Sequence, residues 1–399
     1  MTQRYSHFLI LALVSFAVFF PSLLFPYLEI DELIWGEMAN SMVEGCAPYT
    51  CVVGGKMPLL YLFYAGVFEI FGKNNYFFAH LIHILWVALA AWILTRVPTD
   101  RPRLSFGVFY IIILGLPPYR NLSPTGESLM NLFLITSWWF FLRNLIRPTF
   151  FKGAMVGITI ALGSLFRQQA GILLAGFGLW LVVEAFRTKK FKNYFLLILP
   201  MVLGWLVIMA LTGIGLYAWG SWEGFYRWAI FHNFFYIQSG SPGWGSFLKG
   251  MINILGFFGP TLVIWIFFFF GLKARKDIAR PLWTTAIFYL ASALLAGTTG
   301  FRFFPHYFFQ AAPPLAVLAS YGWDQVKQSH LAKFGLALSL LFVFGENMLV
   351  GDLRLKDSTL DYAPLNQIVG NYIKENSKPE DKIFVWGWGH GIYYFSNRG

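Results

Sequence analysis

The sequence predicts an all-α polytopic membrane protein with about eleven transmembrane helices. Three observations carry that expectation. Of 399 residues 57% are hydrophobic and only 12% charged, where a soluble domain carries about 25%. Mean hydropathy is +0.58. Apolar runs of near-spanning length recur along the whole chain, parted by short polar segments. The net charge of +11 does not mark a nucleic-acid partner, because the basic residues form no patch or stripe. They sit in small clusters between apolar runs, which is the positive-inside pattern.

The first apolar run, Phe8 to Phe25, exceeds the roughly 7–15 residues of a signal-peptide core, and no small-x-small cleavage site follows. It reads as a retained first span. Next, within the loop from Tyr27 to Tyr61, Asp31 to Glu44 has helical spacing with Ile34, Trp35, Met38 and Met42 on one side, ended by Gly45. Trp35 predicts that this helix lies flat at the membrane interface. Met57 to Phe71 is short for a full crossing and reads as an interfacial or half-inserted helix stopped at Gly72.

Spans are then expected over Tyr76–Leu94, Leu104–Leu116, Leu129–Leu142, Gly153–Phe166, Ile172–Phe186, Tyr194–Thr212, Phe247–Leu272 and Leu282–Ala296. One more ends near Tyr321, and the last runs Phe334–Val350. A long aromatic loop with Trp219, Trp222, Tyr226, Trp228 and Trp244 reads as an interfacial belt or as rings for stacking on sugars. The expected division is a transmembrane domain over 1–350 and a short, incomplete extracytoplasmic segment over 351–399. There Lys382 to Gly387 reads as a strand and Ile392 to Phe395 as a strand or helix start. The glycine-rich Gly387–Gly391 reads as a turn, with no helical run following to offer amides to a phosphate.

Alternate loops sort by charge. One set holds Arg4; Arg96, Arg101, Arg103; Arg143, Arg147, Lys152; Arg187, Lys189, Lys190, Lys192; Lys273, Arg275, Lys276, Arg280; Lys327 and Lys333. The positive-inside rule makes that set cytoplasmic. The loop at 27–61, the turn at 117–128, Arg167, the aromatic loop, Arg302 with His306, and the tail after Val350 then face outward.

That outward face gathers the scarce polar groups, and an ionisable residue at a bilayer edge marks a site. Asp31 and Glu32 are adjacent, so on a helix they diverge by about 100° and cannot act as a facing pair. Asp31 reads as a general base for an acceptor hydroxyl, or as a helix cap. Lys56 reads as a cation balancing a departing phosphate, or as a snorkelling lysine. Arg167, flanked by Gln168 and Gln169, suits a phosphate or sugar, or snorkels. Glu127 suits a helix N-terminus. Arg302, His306 and Tyr307 form a further polar knot, in which an ordinary hydrogen-bonded His outweighs a metal ligand. The two cysteines, Cys46 and Cys51, can close a small ring in an oxidising compartment or stay as free thiols.

The order of these pieces is an acidic pair after the first span, K-x-P-L-x-Y at Lys56–Tyr61, and an outward glutamate six residues after Asn121. Then come R-Q-Q-A at Arg167–Ala170 and R-x-x-P-H-Y-F at Arg302–Phe308, before AAPPLAVLAS. Together they resemble the GT-C type membrane glycosyltransferases, within them the bacterial family related to protein O-mannosyltransferases and lipid A aminoarabinose transferase. The resemblance runs over nearly the whole chain. It implies a catalytic Asp31 with Glu32 beside it, and Lys56 near the donor phosphate. Met57-Pro58 stands where the family has two prolines. Arg167, Arg302, His306 and Tyr307 carry over as donor-phosphate contacts, supported by Glu127, Gln168 and Gln169. The implied activity is inverting transfer of a sugar from a polyprenyl-phosphate donor to a lipid, glycan or protein acceptor. No cofactor is required, although neighbouring carboxylates can hold a divalent metal. The implied location is the bacterial inner membrane, with the active site facing the periplasm or exterior and membrane lipids around it. A rival class is a transporter or flippase for a lipid-linked anion, which predicts inverted halves with broken helices at midplane.

Overall fold

The computed structural model describes residues 2–25, 27–28, 30–97, 102–116, 122–239, 244–299, 303–356, 363–385 and 389–398. Its regular elements are helices, and no strand occurs among the described residues. The helices are α1 (Thr2–Phe19), α2 (Ile30–Val43), α3 (Pro58–Phe71), α4 (Tyr76–Leu94), α5 (Leu104–Gly115), α6 (Gly126–Ile146) and α7 (Phe150–Phe166). They continue with α8 (Ile172–Thr188), α9 (Phe191–Ala218), α10 (Trp222–Gly224), a π-helix (Phe225–Phe231), α11 (His232–Ser239), α12 (Trp244–Phe258) and α13 (Leu262–Lys273). The last are α14 (Arg280–Thr298), α15 (Ala312–Val326), α16 (His330–Lys356), α17 (Ala363–Asn376) and α18 (Gly391–Ser396).

Six described helices are long and apolar enough to cross a membrane: Ser6–Leu24, Tyr76–Leu94, Gly126–Ile146, Gln168–Thr188, Phe191–Ala218 and Arg280–Thr298. A bent pair makes seven if it counts as one crossing. Length and composition therefore do not reach the expected eleven. The shortfall has a physical source. Pro58–Phe71, Leu104–Gly115, Phe150–Phe166 and the apolar part of α16 are apolar but short, and α15 is sequestered inside the protein, with Ala312 to Gly322 buried throughout.

Polar side chains tie neighbouring helices together within an apolar bundle. Ser15 Oγ donates to the Ile84 carbonyl (2.8 Å), joining α1 to α4. Trp86 Nε1 donates to the Leu129 carbonyl (2.9 Å), joining α4 to α6. Trp138 reaches Thr285 and Trp180 reaches Thr284, both at 2.9 Å, fastening α14 to α6 and α8. Where backbones touch, the residues are glycines, as helices packed in lipid favour. A Cβ on Gly157 would meet the Met201 carbonyl, where α7 lies on α9. A Cβ on Gly322 would meet the Phe267 carbonyl, where α15 lies on α13. The far side of α9 stays exposed and apolar, with Phe195, Leu199, Leu206, Leu211 and Ile214 among its exposed side chains.

Three sequence expectations are corrected. The span expected over Phe247–Leu272 is broken, its halves bent by 75°. Gly259-Pro260 lies at the break, and proline both lacks an amide proton and clashes with the preceding turn. Just past it, the Thr261 amide (3.3 Å) and hydroxyl (2.5 Å) both donate to the Phe257 carbonyl. The aromatic loop is largely helical, built from α10, the π-helix and α11. In the tail, Lys382–Val385 is not a strand, with no partner strand among the described residues, and α18 covers Ile392–Phe395. A six-residue helix thus does follow His390, and Gly387 lies outside the described residues.

The Gly322 contact yields a measurable consequence. Gly322→Leu must push α15 off α13, a strain of about 1–3 kcal/mol for overpacking. The fraction of protein remaining monodisperse after a heating series should fall at a lower temperature than for the unsubstituted chain. An unchanged profile would show that the two helices separate freely.

Candidate active site

The first turn of α2 parts the two neighbouring acids, as their divergence of about 100° requires. Glu32 turns inward and is fully buried, whereas Asp31 is half-buried. The Leu28 amide donates to Glu32 Oε2 at 3.0 Å. Glu32 Oε1 lies 2.7 Å from His80 Nε2 and accepts from the Tyr64 hydroxyl at 3.2 Å. His80 Nδ1 faces the Ser22 carbonyl at 2.8 Å. A carbonyl only accepts, so Nδ1 donates to Ser22 and Nε2 is the ring atom that faces the carboxyl. Glu32 and His80 together tie the 3-10 turn Phe20–Leu24, which follows α1, to α2, α3 and α4. Trp35, expected at the headgroup layer, is instead buried against Tyr64, with ring centroids 5.9 Å apart.

Lys56 is positioned by a turn with several fastenings. Its amide donates to the Tyr61 hydroxyl (3.0 Å), and its carbonyl accepts from the Tyr49 hydroxyl (2.9 Å). Tyr49 has φ 65°, the left-handed region that a bulky residue enters only under constraint. Cys46 and Cys51 are joined as a disulfide around it, and its ring packs edge-on against Tyr61 and Phe225. Asn233 Nδ2 donates to the Gly55 carbonyl (3.0 Å) and to Ala229 (2.6 Å), linking this turn to the π-helix.

Arg167 follows α7 in extended conformation, with its side chain buried. Gly126 lets the start of α6 approach this point, since a Cβ there would stand 2.8 Å from the Phe166 carbonyl. That approach brings Arg167 Nη1 to 3.0 Å from Glu127 Oε1. His306 Nε2 lies 3.6 Å from the same oxygen, and the guanidinium sits 4.5 Å over the Tyr307 ring. Burial opposes the charge of Arg167, while Glu127, Tyr307 and Asp31 hold it ionised. Asp31 also acts electrostatically on Tyr61, the residue that holds Lys56. Gln169 accepts from Arg167 Nε (3.3 Å) and donates to Thr299 (2.6 Å), and Gln168 donates to the Ala229 carbonyl (3.0 Å).

Glu127, Arg167, Gln169, His306 and Tyr307 are thus in direct contact, Gln168 and the Lys56 turn meet through Ala229 and Asn233, and Asp31 acts on Arg167 through its charge. Arg302 lies outside the described residues. Sequence reasoning passed over His80, Tyr49, Asn233 and the pair His390–Glu37, whose Nδ1–Oε1 distance is 3.0 Å. His80 was visible as an ionisable group inside an apolar span, which is a signal in itself. Burial raises the Glu37 carboxyl above its usual range, and His390 opposes that rise.

Asp31 and Glu32 do not fit a shared cation, because Glu32 engages both its oxygens within the protein. Among the described residues no group of three His, Cys, Asp or Glu is arranged to hold a metal ion.

No protein-family model matches the chain, and no curated protein matches it by sequence. Solved structures do match. The chain is similar to ArnT from Cupriavidus metallidurans bound to undecaprenyl phosphate, with TM-score 0.68 and 16% identity over 98% of this chain and 84% of that one. Against ArnT of the same organism in the apo state the TM-score is 0.65, at 14% identity over 100% of this chain and 85% of that one. Against the Archaeoglobus fulgidus oligosaccharyltransferase in complex with Zn and sulfate it is 0.50, at 15% identity over 98% of this chain and 61% of that one. At these identities the likeness is one of fold, and the fold is the all-α GT-C architecture expected from the sequence.

Two outcomes follow from this geometry. His80→Ala removes the nearest of three partners of the buried Glu32 carboxyl and should cost about 1–3 kcal/mol, read as a lowered midpoint of thermal aggregation. A shift of under a degree would mean that the pair anchors nothing. Mass spectrometry of freshly isolated membranes, alkylated without reductant, should find Cys46 and Cys51 unlabelled, and labelled thiols would remove the ring.

Proposed function

We propose that this protein is an inverting glycosyltransferase that takes a sugar from a polyprenyl-phosphate donor and passes it to a lipid, glycan or protein acceptor. The site faces the extracytoplasmic side of the membrane in this reading, which follows the positive-inside sorting of the loops. The observation that carries it is the largely buried Arg167, held by Glu127 and Tyr307 and reached by the charge of the half-buried Asp31. Support comes from the shared fold with a structure that holds undecaprenyl phosphate.

The chemistry requires two opposed charges. Asp31 removes the proton from the acceptor hydroxyl as its oxygen forms the new bond to the anomeric carbon. The bond from that carbon to the phosphate oxygen breaks on the opposite face, inverting the centre. The leaving polyprenyl phosphate gains negative charge, which Lys56 and Arg167 balance. Glu127 and Tyr307 hold the guanidinium so that it need not reorganise during the reaction. Since the leaving group carries its own charge and stays in the membrane, the chain's own cations can bear this role. His306 supports Glu127, and Gln168 and Gln169 fix the Arg167 turn between the π-helix and α14.

A transporter or flippase would move the lipid-linked anion without breaking a bond. It predicts paired broken helices related by inverted symmetry, whereas the described residues contain one bent pair, α12 with α13.

Membranes containing the protein, incubated with labelled polyprenyl-phosphate sugars, should transfer label covalently to an acceptor. Asp31→Asn should slow this by about 10²–10⁴-fold, the usual worth of a general base, with the protein still inserted. Undiminished transfer by that variant would remove Asp31 from the mechanism. Label that crosses the bilayer still attached to its carrier would favour the transporter.

A further inference from the structure

A second polar site lies at the other end of the bundle, among residues of the basic set. A cavity of about 730 Å³ opens between the C-terminal ends of α6 and α8 and the starts of α7, α9 and α14. Its charged lining is three cations, Arg187, Lys190 and Arg280, against one carboxylate, Glu184. Glu184 is buried and holds both guanidinium groups: Arg280 Nη2 stands 2.7 Å from Oε1, and Arg187 Nη2 2.7 Å from Oε2. Arg187 Nε also donates to Oε2 (2.8 Å). A guanidinium has five donor hydrogens, so these pairs fix the two side chains while engaging only part of their donors. Lys189, at φ 57°, reverses the chain between α8 and α9 and brings Lys190 to the rim.

The backbone adds to this charge. Residues at or next to the first turns of three helices line the cavity: Thr149 and Phe150, Lys190 and Asn193, Arg280 and Pro281. Each helix start carries partial positive charge from its unpaired amides. The walls are otherwise apolar, formed by Leu145, Trp180, Leu196 and Leu197. From the mouth, the exposed face of α9 continues through Leu196, Leu199 and Leu203, giving a hydrocarbon chain an unbroken path.

We propose that this cavity is a binding site for the headgroup of an anionic phospholipid, whose phosphate meets Arg187, Lys190 and Arg280 while its acyl chain lies along α9. Excess cations and three helix starts select negative charge. Adjoining apolar surface selects a lipid over a free phosphate, which gains nothing from the walls. Glu184 orients the two arginines and keeps their mutual repulsion in check.

The test titrates the full chain, in neutral detergent, with dioleoylphosphatidylglycerol or dioleoylphosphatidylcholine and reads bound lipid by native mass spectrometry. Phosphatidylglycerol should be retained in preference. Lys190→Gln, at an exposed position away from the ion pairs, should weaken phosphatidylglycerol retention roughly fivefold, the worth of one interfacial cation, and leave phosphatidylcholine unchanged. Inorganic phosphate at the lipid's concentration should fail to displace the lipid. Equal retention of the two lipids, an unaltered Lys190→Gln titration, or displacement by phosphate alone would each overturn the proposal, the last by showing a small-anion site.

Discussion

No ion can stay inside an apolar bundle without a partner, and this constraint shapes the structure more than any single contact. An unpaired buried charge costs several kcal/mol, so the residues that carry charge inward also decide which elements meet. Glu127 and Arg167 illustrate this at 3.0 Å. The contact requires the start of α6 to lie against the end of α7, and Gly126 is the residue that permits so close an approach. Glu32 and His80 impose a parallel condition on α2 and α4, with the Ser22 carbonyl fixing the ring from its other edge.

The same constraint divides the molecule into two polar ends. Arg103 pairs with Asp324 at 2.9 Å, and Arg187 and Arg280 share Glu184, all among groups that the loop sorting assigns to one side. Asp31, Lys56, Arg167 and His306 belong to the other. Between the two ends the helices are joined by single hydroxyl or indole hydrogen bonds and by glycine contacts. An anion is therefore met by fixed cations at either end and by hydrocarbon between them.

Long uniform segments were legible in the sequence, and punctuated ones were not. Tyr76–Leu94 occurs in the structure with the expected limits, because nineteen residues without an Asp, Glu, Lys or Arg leave little choice. Phe247–Leu272 looked continuous by composition, yet Gly259-Pro260 turns it sharply; the breaker was present and hydropathy averaged over it. The aromatic loop hid its helices because its side chains follow no clean 3.6-residue period. Asp31 and Glu32 stood out as a pair, but neighbours in sequence say nothing about distant partners. Only the fold discloses that Glu32 belongs to His80 while the charge of Asp31 is felt at Arg167. The closeness of Glu127 to Arg167 was hidden for the same reason.

The meeting of His390 with Glu37 spans 353 positions. Around it the rings of Tyr27 and Tyr76 touch Tyr394, at 5.5 and 5.8 Å. Ribosomes make the Glu37 segment long before its cap. The nascent chain must keep that half-buried acid waiting while hundreds of further residues are added, so this corner of the fold closes only after α18 has emerged.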